Sequence, residues 1–189
     1  MSGITTTPAD QAPRGEEEPL PYAPEDEQDR RYLEMAVANS RRALEDPGKK
    51  PFGAVLVVGG EVVGDGTNAV VELNDPTAHA EVMALRDAGR RLGRYSFGNA
   101  VLYASSEPCP MCLVACYWAG VPRVVYGATS RDAAVNGHED LQFYRDVALP
   151  NAERRLVDEV PVDGAPRSAA VDVLAAWAAA QPQPVEPKL

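Results

Sequence analysis

Two of the chain's three cysteines, Cys109 and Cys112, sit three residues apart in "SSEPCPMC" (Ser105–Cys112). The stretch "PMCLVACYWAG" that continues from them reads as a helix, with Pro110 in its first turn and Gly120 at its end. Both thiols therefore lie at a helix start, where the macrodipole and the free N–H groups favour the thiolate. A C-x-x-C pair so placed has four readings: a disulfide, a redox pair, a structural metal site, or part of a catalytic metal site. A disulfide is disfavoured in a reducing compartment. A redox pair fits α/β surroundings. A metal needs further ligands.

The chain has only two histidines, His79 and His138. His79 lies in "TAHAEV", at a second predicted helix start. If the two helix starts face each other, His79, Cys109 and Cys112 supply three ligands of the kind zinc takes. Three protein ligands leave the fourth position to water, which is the arrangement of a catalytic site. Cys116, one turn beyond Cys112, is the candidate for closing it. Set back into the helix, it reads better as a small buried core residue. Glu81 follows His79 by two residues. A carboxylate at a helix tip can move protons for an activated water without binding the metal. Alone, such a glutamate would be read as solvated; its spacing from His79 reverses that. "HAE" and "PCPMC" together form the H-x-E … P-C-x-x-C pattern of zinc deaminases.

The elements that must position these residues follow from periodicity. From about Asp26, Leu33, Ala36, Val37, Ser40 and Leu44 recur at helical spacing. "PFGAVLVVGGEVVGDG" holds two β-branched runs around Gly59-Gly60 and predicts a hairpin. In "NDPTAHAEVMALRDAGRRLG", Asp75 or Thr77 is expected to open a helix whose apolar face is Val82, Leu85, Ala88 and Leu92. "AVLYAS" and "RVVYGA" predict strands on either side of the cysteine helix. Residues 131–167 are mixed. "SAAVDVLAAWAAA" predicts a last amphipathic helix docked through Val171, Leu174 and Trp177. A hairpin followed by crossover units implies an α/β domain, with a mixed sheet and helices on both faces.

Bulk properties bound the partners. The 189 residues suit one domain, and the net charge is −10. Residues 1–28 account for −6 of it and hold five prolines, which predicts a disordered acidic tail. Residues 29–180 then form the domain, and 181–189 a second short tail. Neither the tail nor the domain offers a basic footprint for nucleic acid. No apolar run is long enough to span a membrane, and the first residues lack the pattern of a signal peptide. A cytoplasmic setting is the expectation.

From about Arg31 to Trp177 the chain resembles the cytidine and deoxycytidylate deaminase superfamily, and within it the bacterial-type guanine deaminases. The residues that carry the resemblance are "PFGAVLV", Asn68, "NDPTAHAEVMALR", "LYASSEPCPMC", "YWAG" and "RDAAVNGHEDLQFY". The resemblance implies a three-layer α/β/α fold, one zinc per chain, a homodimer, and hydrolytic loss of ammonia from a nucleobase. It makes His79, Cys109 and Cys112 the zinc ligands and Glu81 the proton shuttle. It gives Asn68 a hydrogen bond to the base, and Phe52 and Trp118 the pocket walls. Asp140 would read guanine's N1–H and exocyclic amine, two adjacent donors that suit an acceptor-only carboxylate. Three departures stand out. Ser106 replaces a common cysteine. "GHED" brings His138 and Glu139 to the pocket mouth, which leaves guanosine, cytosine or an aminotriazine as further candidate substrates. The C-terminal "QPQPVEPKL" lacks the aromatic with which the family's exchanged C-terminal segment caps the partner's site. A tRNA adenosine deaminase is the near rival, opposed by the acidic charge. A non-catalytic zinc module would need Cys116 or His138 to close the metal site, and a redox protein would bind no metal.

Overall fold

The computed structural model describes residues 27–183. The expected tails lie outside them, apart from their inner edges: Glu27 and Gln28 already belong to the first helix. That helix, α1 (Glu27–Ser40), runs into a 3₁₀ turn at Arg41–Leu44. The hairpin follows as β1 (Lys50–Val58) and β2 (Glu61–Asn68). Gly59 and Gly60 join them with φ of 58° and 85°, the positive values that a two-residue turn needs to match strand twist. A short α2 (Val70–Leu73) leads to α3 (Ala80–Leu92), β3 (Ala100–Ser106), α4 (Pro110–Trp118) and β4 (Arg123–Ala128). Two short helices, α5 (Ser130–Val135) and α6 (Leu141–Val147), fill the mixed region, and α7 (Ala165–Ala179) comes last.

The strands form one mixed sheet in the order β2-β1-β3-β4. β1 is antiparallel to both neighbours, and β3 is parallel to β4 across the α4 crossover. Alternation along β1 splits the core. Val55 and Val57 join Tyr32, Ala36 and Tyr103 beneath α1. Ala54 and Leu56 join Leu102, Ala104, Ala80, Ala84 and Cys116 on the other face. The result is a three-layer α/β/α sandwich. Asp29 pins α1 to the sheet: it accepts from Tyr103 Oη at 2.7 Å and pairs with the Arg123 guanidinium. Arg123 holds its carboxyl below the usual range.

Four expectations fail in detail. Neither Asp75 nor Thr77 caps α3. Asp75 accepts from the Thr77 backbone N–H and hydroxyl in a local turn, and the helix begins three residues later with His79 as N-cap. Of the expected face of α3, Ala88 is buried and Leu85 packs partly buried against the core, but the fully buried stripe is Ala80, Glu81, Ala84 and Ala88, Val82 is only half-buried, and Leu92 is exposed. The small stripe exists because β2 presents glycines to it. A Cβ on Gly64 would lie 2.2 Å from the Ala84 carbonyl oxygen, and one on Gly66 2.0 Å from that of Ala80. Finally, Leu44 is exposed in the 3₁₀ turn, and α7 does not dock as expected: Val171, Leu174 and Trp177 are 47%, 69% and 60% exposed. Alanine-rich sequence forms the helix locally, but α1, α3 and α4 already cover the sheet. Among the described residues no helix is long and apolar enough to cross a membrane.

Gly66 thus sets the distance between β2 and the turn that carries His79 and Glu81. Gly66→Ala is expected to cost about 1–3 kcal/mol or more, since the obstruction is backbone rather than a flexible side chain. It should also loosen bound zinc, read as a lower denaturation midpoint together with faster metal loss to a chelator.

Candidate active site

Every candidate residue gathers at one edge of the sheet. The antiparallel hairpin brings the start of β1 (Phe52) and the end of β2 (Asn68) to the edge where β3 ends in Ser106. The turn from β3 into α4 opens here, at the carboxyl end of parallel strands where α/β sheets place their ligands. α3 starts at the same edge.

His79 and Cys109 are the N-caps of α3 and α4, both with extended backbone (ψ 156° and 168°). Neither side chain makes the usual capping bond to its own helix. Both instead project past the helix ends toward each other, with Cys109 Sγ 3.5 Å from His79 Nδ1. The ligand atoms of His79, Cys109 and Cys112 lie within 4.8 Å of one another. Cys112 supports thiolate character at Cys109 by hydrogen bonding, and the neighbouring imidazole adds to it. The same contact, with burial, pushes Cys112 up. The hydrogen bond to Cys109 raises the His79 pKa. One nitrogen and two sulfurs converging from two helix tips match a zinc donor set.

Glu81, in the first turn of α3, is 6% exposed. Burial pushes its carboxyl up to about 6, within the range useful for passing protons near neutral pH. It faces a cavity of about 1100 Å³ that His79, Cys109, Phe52, Asn68, Trp118 and the "HED" loop also line. Asn68 Oδ1 accepts from the Val70 backbone N–H at 3.2 Å. Phe52 meets His138 edge-on, ring centroids 5.0 Å apart. Trp118 stands at the rim, 84% exposed. Asp140 is the N-cap of α6 yet makes no capping bond; Glu139 accepts from the Gln142 N–H in that helix start. Asp140 Oδ1 is consequently buried without a partner. Burial, and then the charge near Cys109, raises its pKa.

Cys116 and His138 stand outside the metal-binding group. Cys116 is buried in the core under the sheet, where burial pushes its thiol up to about 12. Sequence reasoning missed two supports. Tyr144 Oη donates to the Pro108 carbonyl at 2.6 Å, bracing the residue before Cys109. Glu107 Oε2 accepts from the Ser130 N–H at 2.8 Å, tying the cysteine loop to α5. Both lie in stretches that carry the resemblance, but no periodicity singles them out.

Residues 26–128 match the family model of the cytidine and deoxycytidylate deaminase zinc-binding region. A guanine deaminase of Bacillus subtilis (strain 168) is 48% identical over 106 residues, 56% of this chain and 68% of that relative. A tRNA-specific adenosine deaminase of Buchnera aphidicola subsp. Schizaphis graminum is 42% identical over 92 residues, 49% of this chain and 61% of the relative. The X-ray structure of guanine deaminase from Bacillus subtilis superposes with a TM-score of 0.75 at 36% identity, covering 85% of this chain and 98% of that one. The chain belongs to the cytidine and deoxycytidylate deaminase family. Zinc is its cofactor, and His79, Cys109 and Cys112 are positioned to bind it.

The separation of Cys116 from the metal group has a measurable consequence. Cys116→Ala should retain zinc at full stoichiometry and lose roughly 1–2 kcal/mol of stability through a small core cavity. Cys112→Ala should lose the metal. Metal analysis of the purified variants, paired with denaturation curves, checks both.

Proposed function

We propose that the chain is a zinc-dependent aminohydrolase that converts guanine to xanthine and ammonia in the cytoplasm. The observation that carries this reading is the buried, unpartnered Asp140 Oδ1 at the cavity that also holds Glu81 and the three metal-binding residues. An ionised carboxylate only accepts hydrogen bonds, and guanine offers N1–H beside its exocyclic amine. Asn68 adds a donor through its NH₂. Phe52, Trp118, His138 and Glu139 bound the base. The similarity to the guanine deaminase of Bacillus subtilis supports the same substrate. A tRNA adenosine deaminase is the second reading, favoured by the 42% identity of the Buchnera aphidicola relative. The net charge of −10 opposes it, because a tRNA partner calls for a basic surface.

His79, Cys109 and Cys112 hold the zinc. Bound there, zinc makes a water nucleophilic near neutral pH. Glu81 accepts a proton from the attacking water as its oxygen bonds to purine C2. Glu81 gives that proton to the ring nitrogen, then takes the second proton from the oxygen now on C2 and passes it to the departing amine. The C2–N bond breaks, ammonia leaves, and the oxygen remains as the new carbonyl of xanthine. Burial serves Glu81 here by letting it carry a proton near neutral pH and by keeping bulk water from the exchange.

The working unit is a homodimer. The exposed Val171, Leu174 and Trp177 of α7 leave an apolar face that a second copy would cover.

Ammonia release and ultraviolet change on the zinc-loaded protein with guanine, guanosine, adenine, cytosine and cytidine test the substrate. Guanine alone should react. Turnover of another member in its place would sink the guanine assignment and leave the zinc chemistry. Glu81→Ala should keep zinc and fold but lose about 10²–10⁴-fold or more in kcat. Sedimentation velocity should give the mass of two chains, and Trp177→Glu should shift it toward one.

A further inference from the structure

Among the described residues, buried side-chain atoms without a hydrogen-bond partner are Ser106 Oγ, Ser130 Oγ and Asp140 Oδ1. Ser130 is not part of the cavity lining, and Asp140 has its role above. Ser106 does line the cavity, and nothing so far accounts for its hydroxyl. An unpaired buried hydroxyl is destabilising, so a native protein that keeps one has a use for it.

Its surroundings narrow that use. Ser106 is the last residue of β3, and its backbone is paired with Ala128 of β4. The next residue repeats the tie, with Glu107 N–H donating to the Ala128 carbonyl at 2.8 Å. The hydroxyl is therefore held by strand, not by a loop. Alternation puts Ser106 on the same face as Leu102 and Ala104, the face that Phe52 also packs against. The adjacent serine shows the contrast. Ser105 points the other way, and its Oγ accepts from the Gly53 N–H at 3.0 Å. One serine of the pair is used within the fold, and the other is left open beside the reacting centre, three residues before Cys109.

We propose that Ser106 is a substrate-binding residue whose hydroxyl hydrogen-bonds the bound heterocycle. The proposal rests on the heterocycle-deaminase reading above. A hydroxyl both donates and accepts. It complements Asp140, which only accepts, and the Asn68 NH₂, which donates. These three polar groups lie on β2, on β3 and ahead of α6, so they approach a flat ring from different directions. A heterocycle seated among them would satisfy both orphan oxygens at once.

The test compares zinc-loaded wild type, Ser106→Ala and Ser106→Cys. Removing an orphan hydroxyl should leave the melting temperature unchanged or higher, with zinc content unchanged. KM for guanine should rise roughly tenfold with kcat little altered, since one uniform binding contact is lost. Ser106→Cys, similar in shape with a weak donor, should fall between the two. An unchanged KM in Ser106→Ala would overturn the proposal, because water would then suffice for the hydroxyl. A fall in melting temperature that tracks the loss of activity would also overturn it, in favour of a structural role. Full activity in Ser106→Cys would do the same by making shape the requirement. If wild type ignores guanine, the guanine reading fails, and the comparison is made on whichever of guanosine, adenine, cytosine or cytidine it deaminates. A wild type inert toward all of them overturns both.

Discussion

Two helices must begin at one point in space, and neither can use its N-cap side chain on itself. Most of the molecule follows from that constraint. His79 and Cys109 occupy positions where serine, threonine or aspartate would normally bond the first free N–H groups. Their side chains turn outward instead and meet at 3.5 Å. The missing capping bonds have to be offset by tertiary fixation. For α3 this comes from the glycine-lined approach to β2, where backbone meets backbone without an intervening side chain. For α4 it comes from Pro110 in the first turn, from Tyr144 bonding the Pro108 carbonyl, and from Cys116 buried in the core. Cys116 is thus tied to the site although it binds no metal. It anchors the helix whose tip does.

Burial then separates the carboxylates by environment. Glu81 and Asp140 both lose solvent, and both are raised for that reason first. Glu81 sits deeper, in the first turn of a packed helix, so its charge is the more costly and its proton the more readily held. Asp140 keeps one oxygen without a partner because Glu139 takes over the bond to the α6 start. Two adjacent acids in "GHED" look interchangeable in composition. A single backbone hydrogen bond makes one of them a brace and leaves the other without a partner.

The metal-binding group and the sheet were legible because their signals are local. The hairpin rests on Gly59-Gly60 between β-branched runs, and both turn residues do adopt positive φ. The ligands rest on residue type and spacing at helix starts, which survive any uncertainty about where a helix ends. The expectations that failed did so where another contact outweighed the first local preference. Asp75 looks like an N-cap, but its carboxylate is taken by Thr77 in a local turn. Val82 and Leu92 look like the buried face of α3, but the approach to Gly64 and Gly66 puts the small Ala80, Ala84 and Ala88 there, with Leu85 only packed alongside. Nothing in a single segment records how close its neighbour will come. Tyr144 and Glu107 escaped for the same reason, since each matters through a partner remote in sequence.

The distribution of polar groups explains how one scaffold can keep its chemistry while its substrate varies. The metal-binding residues and Glu81 belong to helix starts locked against the sheet, so they tolerate little displacement. The groups that would touch the far side of a substrate lie elsewhere: Asp140 and His138 between α5 and α6, and Trp118 at an exposed helix end. α5 and α6 are short, and they border the cavity without contributing to the main core clusters. Substitutions there change which atoms of a ring find partners, at little cost to the fold. Ser106 is the exception, a candidate substrate contact carried by a central strand. Its backbone is fixed by β4, so changing its side chain alters the hydrogen bonding of the pocket without moving the pocket. Such a position could tune specificity while Cys109, three residues away, stays where it is.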